Sequence, residues 1–240
     1  MWFQTWLIGL IMIVISGFTR GFSGFGSAMI LAPGLSLLFN PQQVIATVIL
    51  LEITAGVGLL PEAIKNTRWK EIFPLVLGAI AMVPVGAYFL AILDPLLIRR
   101  IMGGLILGFV MLLLSGKAQH SQTPVAITSV VGGLSGFLTG LAGIGGPPVV
   151  LYEMSGENAA ANHRANLIVF FAFVQFITLL FYWAGGILTI GVFYLFAIFV
   201  PFFVLGLLLG RFCFKRVNEE VFRRFVYGLL LVVGGLAVVA

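Results

Sequence analysis

The sequence predicts an all-α, polytopic integral membrane protein with about eight transmembrane helices, arranged as two homologous four-segment repeats with helices broken at glycine-rich motifs. Three observations carry this expectation. Of 240 residues, 61% are hydrophobic and 9% charged, against about 45 to 50% apolar and about 25% charged in soluble domains. Apolar stretches of about 20 residues, enough to cross roughly 30 Å of hydrocarbon as a helix, recur along the chain. The third observation is an internal match, because SGFTRGFSGFGS at Ser16 to Ser27 aligns with SGFLTGLAGIGG at Ser135 to Gly146, 119 residues later.

The segments follow in order. The first repeat, residues 1–118, holds stretches at 2–39, 42–61, 71–92 and 96–115, and the second, residues 119–240, holds 123–156, 165–184, 189–212 and 219–239. The two repeats form one structural unit. No Lys or Arg precedes the first apolar run, so it reads as a mature helix and not a signal peptide. Asn40-Pro41 and Asp94-Pro95 mark helix starts, since the residue before proline avoids helical geometry and proline suits the first turn. The repeat shows again late in each half, where LLIRRIMGGLIL at Leu96 to Leu107 resembles EVFRRFVYGLLL at Glu220 to Leu231. Duplication of this kind is a recurrent way of building membrane carriers.

The first stretch of each repeat is too long for one straight crossing, because about 31 helical residues would extend roughly 46 Å. Either the helix is broken on its way across, or a full crossing is followed by a re-entrant hairpin. The second arrangement leaves three crossings per half and inverts the repeats. With eight crossings, Lys65, Arg68, Lys70 and Lys117 share one face, and Arg99, Arg100, Arg164 and the basic residues from Arg211 to Arg224 share the other. With inversion, Arg20, Lys65, Arg68, Lys70, Lys117 and the residues after 210 gather on one face opposite Arg99 and Arg100. The positive-inside bias favours inversion, though loops this short leave both open, and both place the 211–224 loop in the cytoplasm.

Composition also narrows the chemistry. The formal charge of +5 is spread over several loops, unlike the basic stripe of a nucleic-acid binder. One cysteine, Cys213, forms no internal disulfide, and two isolated histidines, His120 and His163, make no typical metal centre. Neither a metal nor a cofactor is expected, and eight acidic residues spread along the chain, with only Glu219 and Glu220 adjacent, supply no catalytic cluster.

The glycine motifs are the candidate binding elements. Glycines inside a helix cost about 1 kcal/mol each relative to alanine, and unwound backbone at membrane depth survives only beside protein or an aqueous cavity. Gly24, Phe25, Gly26 and Ser27, with Gly143, Ile144, Gly145 and Gly146, are therefore expected to open two inward-facing helix starts. Such starts favour anions through free N–H groups and the helix dipole. Arg20 adds a charged planar donor fork for sulfonate, sulfite or carboxylate oxygens, while its aligned counterpart Thr139 is neutral. Close helix packing is the alternative use of these glycines. Glu52 lies 11 residues past Pro41, about 16 Å into its helix. A carboxylate there needs a partner or a proton, so it is read either as a partner of Arg20 or as a proton-coupling group; its aligned position is Phe171. Thr47 and Asn166 occupy matched positions and serve either a substrate or interhelical hydrogen bonds. Arg164 is a second anion contact or an interfacial anchor. Glu153 and Glu157 read as loop residues, and the run from Phe170 to Phe181 as lipid-facing and packing surface.

The stretches GFSGFGSAMILAPG, GLAGIGGPPVVLY and HRANLIVFFAF resemble the TauE/SafE sulfite exporter family, over nearly the whole chain. That resemblance implies an eight-helix permease of two four-helix repeats, placed in the cell inner membrane, moving sulfite, thiosulfate, sulfoacetate or related organosulfur anions. The first motif carries Gly26-Ser27 where many members have a further glycine, as Gly145-Gly146 does in the second. The expected partners are a small anion and the lipid bilayer, with protons a candidate coupling ion and homo-oligomerisation open. A passive anion channel, an intramembrane enzyme and a scaffolding subunit remain the other classes to separate.

Overall fold

The computed structural model describes residues 2–115, 124–154, 160–213 and 219–239. Lys117, His120, Glu157, Lys215 and Arg216 lie outside the described residues. Among the described residues every regular element is an α-helix: α1 (Trp2–Ser23), α2 (Ser27–Ser36), α3 (Pro41–Asn66), α4 (Trp69–Ile92), α5 (Pro95–Ser115), α6 (Val125–Ala142), α7 (Gly146–Met154), α8 (Ala160–Ala184), α9 (Ile190–Cys213) and α10 (Glu219–Val239). Within the described residues, seven helices are long and apolar enough to cross a membrane: α1, α3, α4, α5, α6, α8 and α9. Large apolar side chains on their outer faces, such as Phe73, Val130, Trp183 and Leu208, are exposed to the surroundings, as lipid-facing surface requires.

Local chemistry sets the boundaries. The Asn40 side chain accepts from the amides of Gln42 at 2.9 Å and Gln43 at 3.4 Å, an N-cap that opens α3 with Pro41 at its first position. Asp94 does the same for α5 by accepting from the Leu96 amide at 2.8 Å. The helix α6 closes with Gly143 in the left-handed region, φ 69°. Its amide donates to Thr139 O at 2.9 Å and that of Ile144 to Leu138 O at 3.3 Å, an αL ending that glycine adopts without steric cost. The break between α1 and α2 likewise needs positive φ, at Gly24 and Gly26.

Each break reverses the chain. The helix α2 returns antiparallel along α1: Gly26 faces Thr19, Gly34 abuts Met12, and Gly9 faces Leu35, Leu38 and Phe39. The helix α7 returns along α6 in the same way, since Ser135 bonds Gly145 near the turn and the Thr128 and Tyr152 hydroxyls meet at 3.0 Å at the far end. Neither long stretch is a broken helix continuing straight across; each is a re-entrant hairpin whose two ends share one face. The physical reason is that α2 and α7 find apolar partners in the bundle by folding back, α2 against α1, α3 and α10 and α7 against α6 and α8.

Helix directions follow from these contacts. The start of α3 meets the end of α4 through Gln42 Nε2 to Leu90 O at 2.9 Å, so the two run antiparallel. Gly78 and Gly86 of α4 lie against Ser129 and Phe137 of α6, so those two run parallel. Since α1 and α3 run the same way, α6 runs opposite to α1, and the two halves of the chain thread the bundle in opposite senses. Contacts recur at the 119-residue offset: Gly24 sits against Arg164, and Gly143 against Ile45.

Two seams hold the hairpins in place. A Cβ added to Gly17 or Gly21 would lie 2.3 Å from Phe203 O or 2.1 Å from Leu207 O, and one on Gly206 or Gly210 would lie 2.3 Å from Val14 O or 2.1 Å from Phe18 O. The same interlock joins α6 to α4, where Gly132, Gly136 and Gly140 abut Leu75, Ala79 and Val83. Backbones this close exchange Cα–H···O and van der Waals contacts, which drive association where lipid removes the hydrophobic incentive. The packing role of glycine therefore belongs to these positions, and the turn role to Gly24, Gly26 and Gly143.

Candidate functional site

The two hairpin turns approach each other inside the bundle and, with α3 and α8, enclose a small cavity of about 340 Å³ counted out to its open mouth. Arg20, Phe25, Gly26, Gly143, Ile144, Gly145, Gly146 and Glu52 all line it. Residues separated by the internal offset face it together: Arg20 with Thr139, Glu52 with Phe171, and Gly26 with Gly145. The starts of α2 and α7 both border the space. The first amides of a helix lack intrahelical partners, and among the described residues no side chain caps α2, so its N–H groups and dipole favour negative charge in the cavity.

Arg20 is the principal charge of this wall. It is 2% exposed, on the last turn of α1, and its Nη2 lies 3.3 Å from Glu52 Oε2. Among the described residues its Nε has no hydrogen-bond partner, so one nitrogen of the fork is occupied by Glu52 while another has no protein acceptor. Glu52 also accepts from the Ser27 hydroxyl and from Gln175 Nε2, the latter at 3.4 Å. Gln175 Oε1 is buried without a partner among the described residues. The site therefore gathers one cation, one carboxylate and an amide around a cavity whose remaining lining is glycine backbone, Thr139, Phe25, Ala28, Met29, Ile144 and Phe171.

The two turns are braced differently. Tyr182 donates to Gly140 O at 2.7 Å and Ser135 donates to Gly145 O, which tie the second turn to α6 and α8. A side chain at Gly145 would strike Thr139 Oγ1. The matching Ser16 hydroxyl has no partner among the described residues, and a Cβ at Gly26 would meet Thr19 Cγ2 at 3.7 Å, an ordinary contact.

Several sequence candidates stand elsewhere. Gly24 is at the first turn, under the Arg164 side chain, where a Cβ would lie 3.2 Å from Arg164 Nε. Arg164 and His163 fall inside α8, which starts at Ala160, earlier than its apolar pattern predicts. Thr47 donates to Gln43 O at 2.8 Å and Val192 O at 3.4 Å, joining α3 to α9. Asn166 accepts from the Arg68 amide at 2.9 Å and donates to Glu153 at 3.2 and 3.3 Å and to Glu71 at 3.3 Å. Ser27 does not cap α2; its hydroxyl goes to Glu52.

Two readings change. Glu153 is no loop residue: it lies in α7, is 3% exposed, and contacts His163 Nδ1 at 2.9 Å. Partners on α8 satisfy a carboxylate that composition alone makes look loop-like. The Phe-rich stretch of α8 is only partly an outer surface, since Phe173 and Phe176 are exposed but Phe171 and Gln175 line the cavity. Gln175 was the missed polar residue. Its signal was an amide alone in an apolar run, which at membrane depth requires a partner. Among the described residues no group of three His, Cys, Asp or Glu side chains is placed to hold a metal ion.

Residues 9–236 match the family described as sulfite exporter TauE/SafE. The chain belongs to the TauE/SafE sulfite exporter family. A protein of Cupriavidus necator named "Probable sulfite/organosulfonate exporter TauE" is 28% identical over 239 residues, covering 95% of this chain and 92% of its own. No solved structure matches the chain. This TauE/SafE member is thus a multi-pass membrane protein whose only charged pair at the cavity, among the described residues, is Arg20 with Glu52.

Proposed function

We propose that the chain is a secondary transporter carrying a small sulfur-containing oxyanion, such as sulfite, thiosulfate or an organosulfonate like sulfoacetate, across the cell inner membrane. The buried Arg20, with an Nε that meets no acceptor among the described residues, is the observation that carries this reading. A guanidinium taken out of water demands anionic partners, and its planar fork matches the paired oxygens of sulfite or sulfonate. The TauE/SafE membership and the name of the Cupriavidus relative support the sulfur chemistry. The small cavity supports a compact substrate, with short organic tails lying against Phe25, Met29 and Phe171.

Opposed hairpins supply a route to alternating access, in which tilting one against the other exposes the same cavity first to one face and then to the other. Sidedness follows from basic residues. Lys65, Arg68, Lys70, Arg164 and Arg211 lie toward the face of the α3–α4 link, and Arg99 and Arg100 toward the opposite one. The positive-inside rule then sets the α3–α4 link in the cytoplasm, with the α1–α2 hairpin dipping in from outside.

Liposome uptake tests this directly. Purified protein should accumulate at least one of sulfite, thiosulfate or sulfoacetate against its gradient under an imposed ion or potential gradient, and Arg20→Lys should reduce the flux at least tenfold while leaving insertion intact. Purely dissipative movement would mark a channel instead, and normal flux in Arg20→Lys would remove Arg20 from the site.

A further inference from the structure

We propose that Glu52 is a built-in competitor of the transported anion for Arg20, so that one proton accompanies each anion through the site. The inference rests on the reading of Arg20 as the anion's anchor. Its basis is the environment of the Glu52 carboxylate. Oε2 faces Arg20 Nη2 at 3.3 Å and Gln175 Nε2 at 3.4 Å, and Oε1 accepts from the Ser27 hydroxyl at the start of α2. A cation, a side-chain amide and a hydroxyl at a helix N-terminus are the donors an oxyanion would seek. Glu52 holds them from within the chain, 2% exposed, on the wall of the cavity.

A second anion cannot join an ionised Glu52 cheaply. Two negative charges a few ångströms apart in a desolvated site oppose each other, and one of them must acquire a proton or leave. Protonation of Glu52 turns it from a competitor into a neutral donor and frees Arg20. Among the described residues the surrounding groups offer no other ready proton acceptor. Among the described residues Arg20 is the ion-pair partner of Glu52, and α2 carries no titratable side chain. The titratable groups of the other helices against α3 stand near helix ends: Arg99 and Arg100 on α5, His163 and Arg164 on α8, Tyr194, Arg211 and Cys213 on α9. Tyr182 of α8 is engaged with Gly140 O.

The sign follows. Anion binding requires protonated Glu52, so affinity is greatest at low pH and falls as pH rises, by at most about tenfold per pH unit for one proton taken up per anion. A divalent anion crossing with one proton carries one net negative charge.

The test uses the full chain in nanodiscs and two strong-acid anions, thiosulfate and ethanesulfonate, whose charge stays constant between about pH 5 and about pH 8. Calorimetry in buffers of different ionisation enthalpy counts the protons taken up. Wild type should bind more tightly as pH falls and take up one proton per anion. Glu52→Gln should bind with a pH-independent affinity, take up none, and in proteoliposomes move two charges per thiosulfate where wild type moves one. Binding without proton uptake in wild type, or an unchanged pH dependence in Glu52→Gln, would overturn the competition while an Arg20-dependent anion site stood. If neither anion binds, or Arg20→Lys binds as well as wild type, the site and the competition fall together. The wild-type proton count needs no variant, so poor folding of Glu52→Gln leaves the test decisive.

Discussion

Replacing Gly21 by alanine tests whether the α1–α9 seam positions the anion site. The added Cβ would lie 2.1 Å from Leu207 O and 2.9 Å from Arg211 N, both backbone atoms. Carbon to carbonyl oxygen contacts settle near 3.3 Å, so the helices must part by about 1 Å. Overpacking of this kind costs about 1 to 3 kcal/mol, and the gain in helix propensity returns at most about 1 kcal/mol. A net loss of about 1 to 2 kcal/mol is expected, read as a lower melting temperature in detergent. Arg20 precedes Gly21, so the same displacement strains a contact of 3.3 Å to Glu52 and misplaces the guanidinium. Weakening one hydrogen bond from the misplaced guanidinium to the anion by about 1.5 to 3 kcal/mol lowers anion affinity roughly 10- to 100-fold. Gly104→Ala is the control, because a Cβ there meets nothing within 4 Å, and it should leave stability and flux unchanged or slightly improved. A Gly21→Ala protein that melts and transports like wild type would refute the seam argument.

Other outcomes follow from the same geometry. Gln175→Leu removes the amide that donates to Glu52 Oε2 at 3.4 Å; anion affinity should change severalfold with little loss of stability, and an unaltered binding isotherm would take Gln175 out of the site. Asn166→Ala leaves Glu153 and the Arg68 amide short of a partner, which should cost about 1 to 3 kcal/mol, and a melting curve identical to wild type would deny the network a structural part. In a Cys213→Ser background, Asn40→Cys should be labelled by an impermeant thiol reagent from the face opposite to Arg68→Cys. Labelling of both from one side would contradict the crossing of the bilayer by α3.

Much of the architecture was legible in the chain. Asn40-Pro41 and Asp94-Pro95 open α3 and α5 because capping and proline geometry are local, and Gly24, Gly26 and Gly143 break helices because their backbone needs positive φ. Arg20 and Glu52 announced themselves as charges inside apolar stretches. The sense of each break was not legible. A glycine turn permits a kink or a reversal equally, and the choice lies in which surface α2 covers, a contact with Met12 and Val233 far along the chain. Gln175 stayed hidden for a similar reason, since its partner Glu52 is 123 residues away. Glu153 was obscured by the polar residues that follow it, although Asn166 and His163 bury it in α7.

By itself, then, the sequence determined that lipid is the solvent, where helices start and break, and which charges must find partners, because these depend on hydropathy, backbone sterics and the cost of burying charge. Only the tertiary structure decided that the halves run in opposite directions, that Arg20 meets Glu52, Ser27 and Gln175 at one cavity, and that Thr47 and Asn166 serve other joints. Those outcomes depend on distances between helices far apart in the chain, which glycine seams such as Gly21 against Leu207 and Gly136 against Ala79 set through backbone contact.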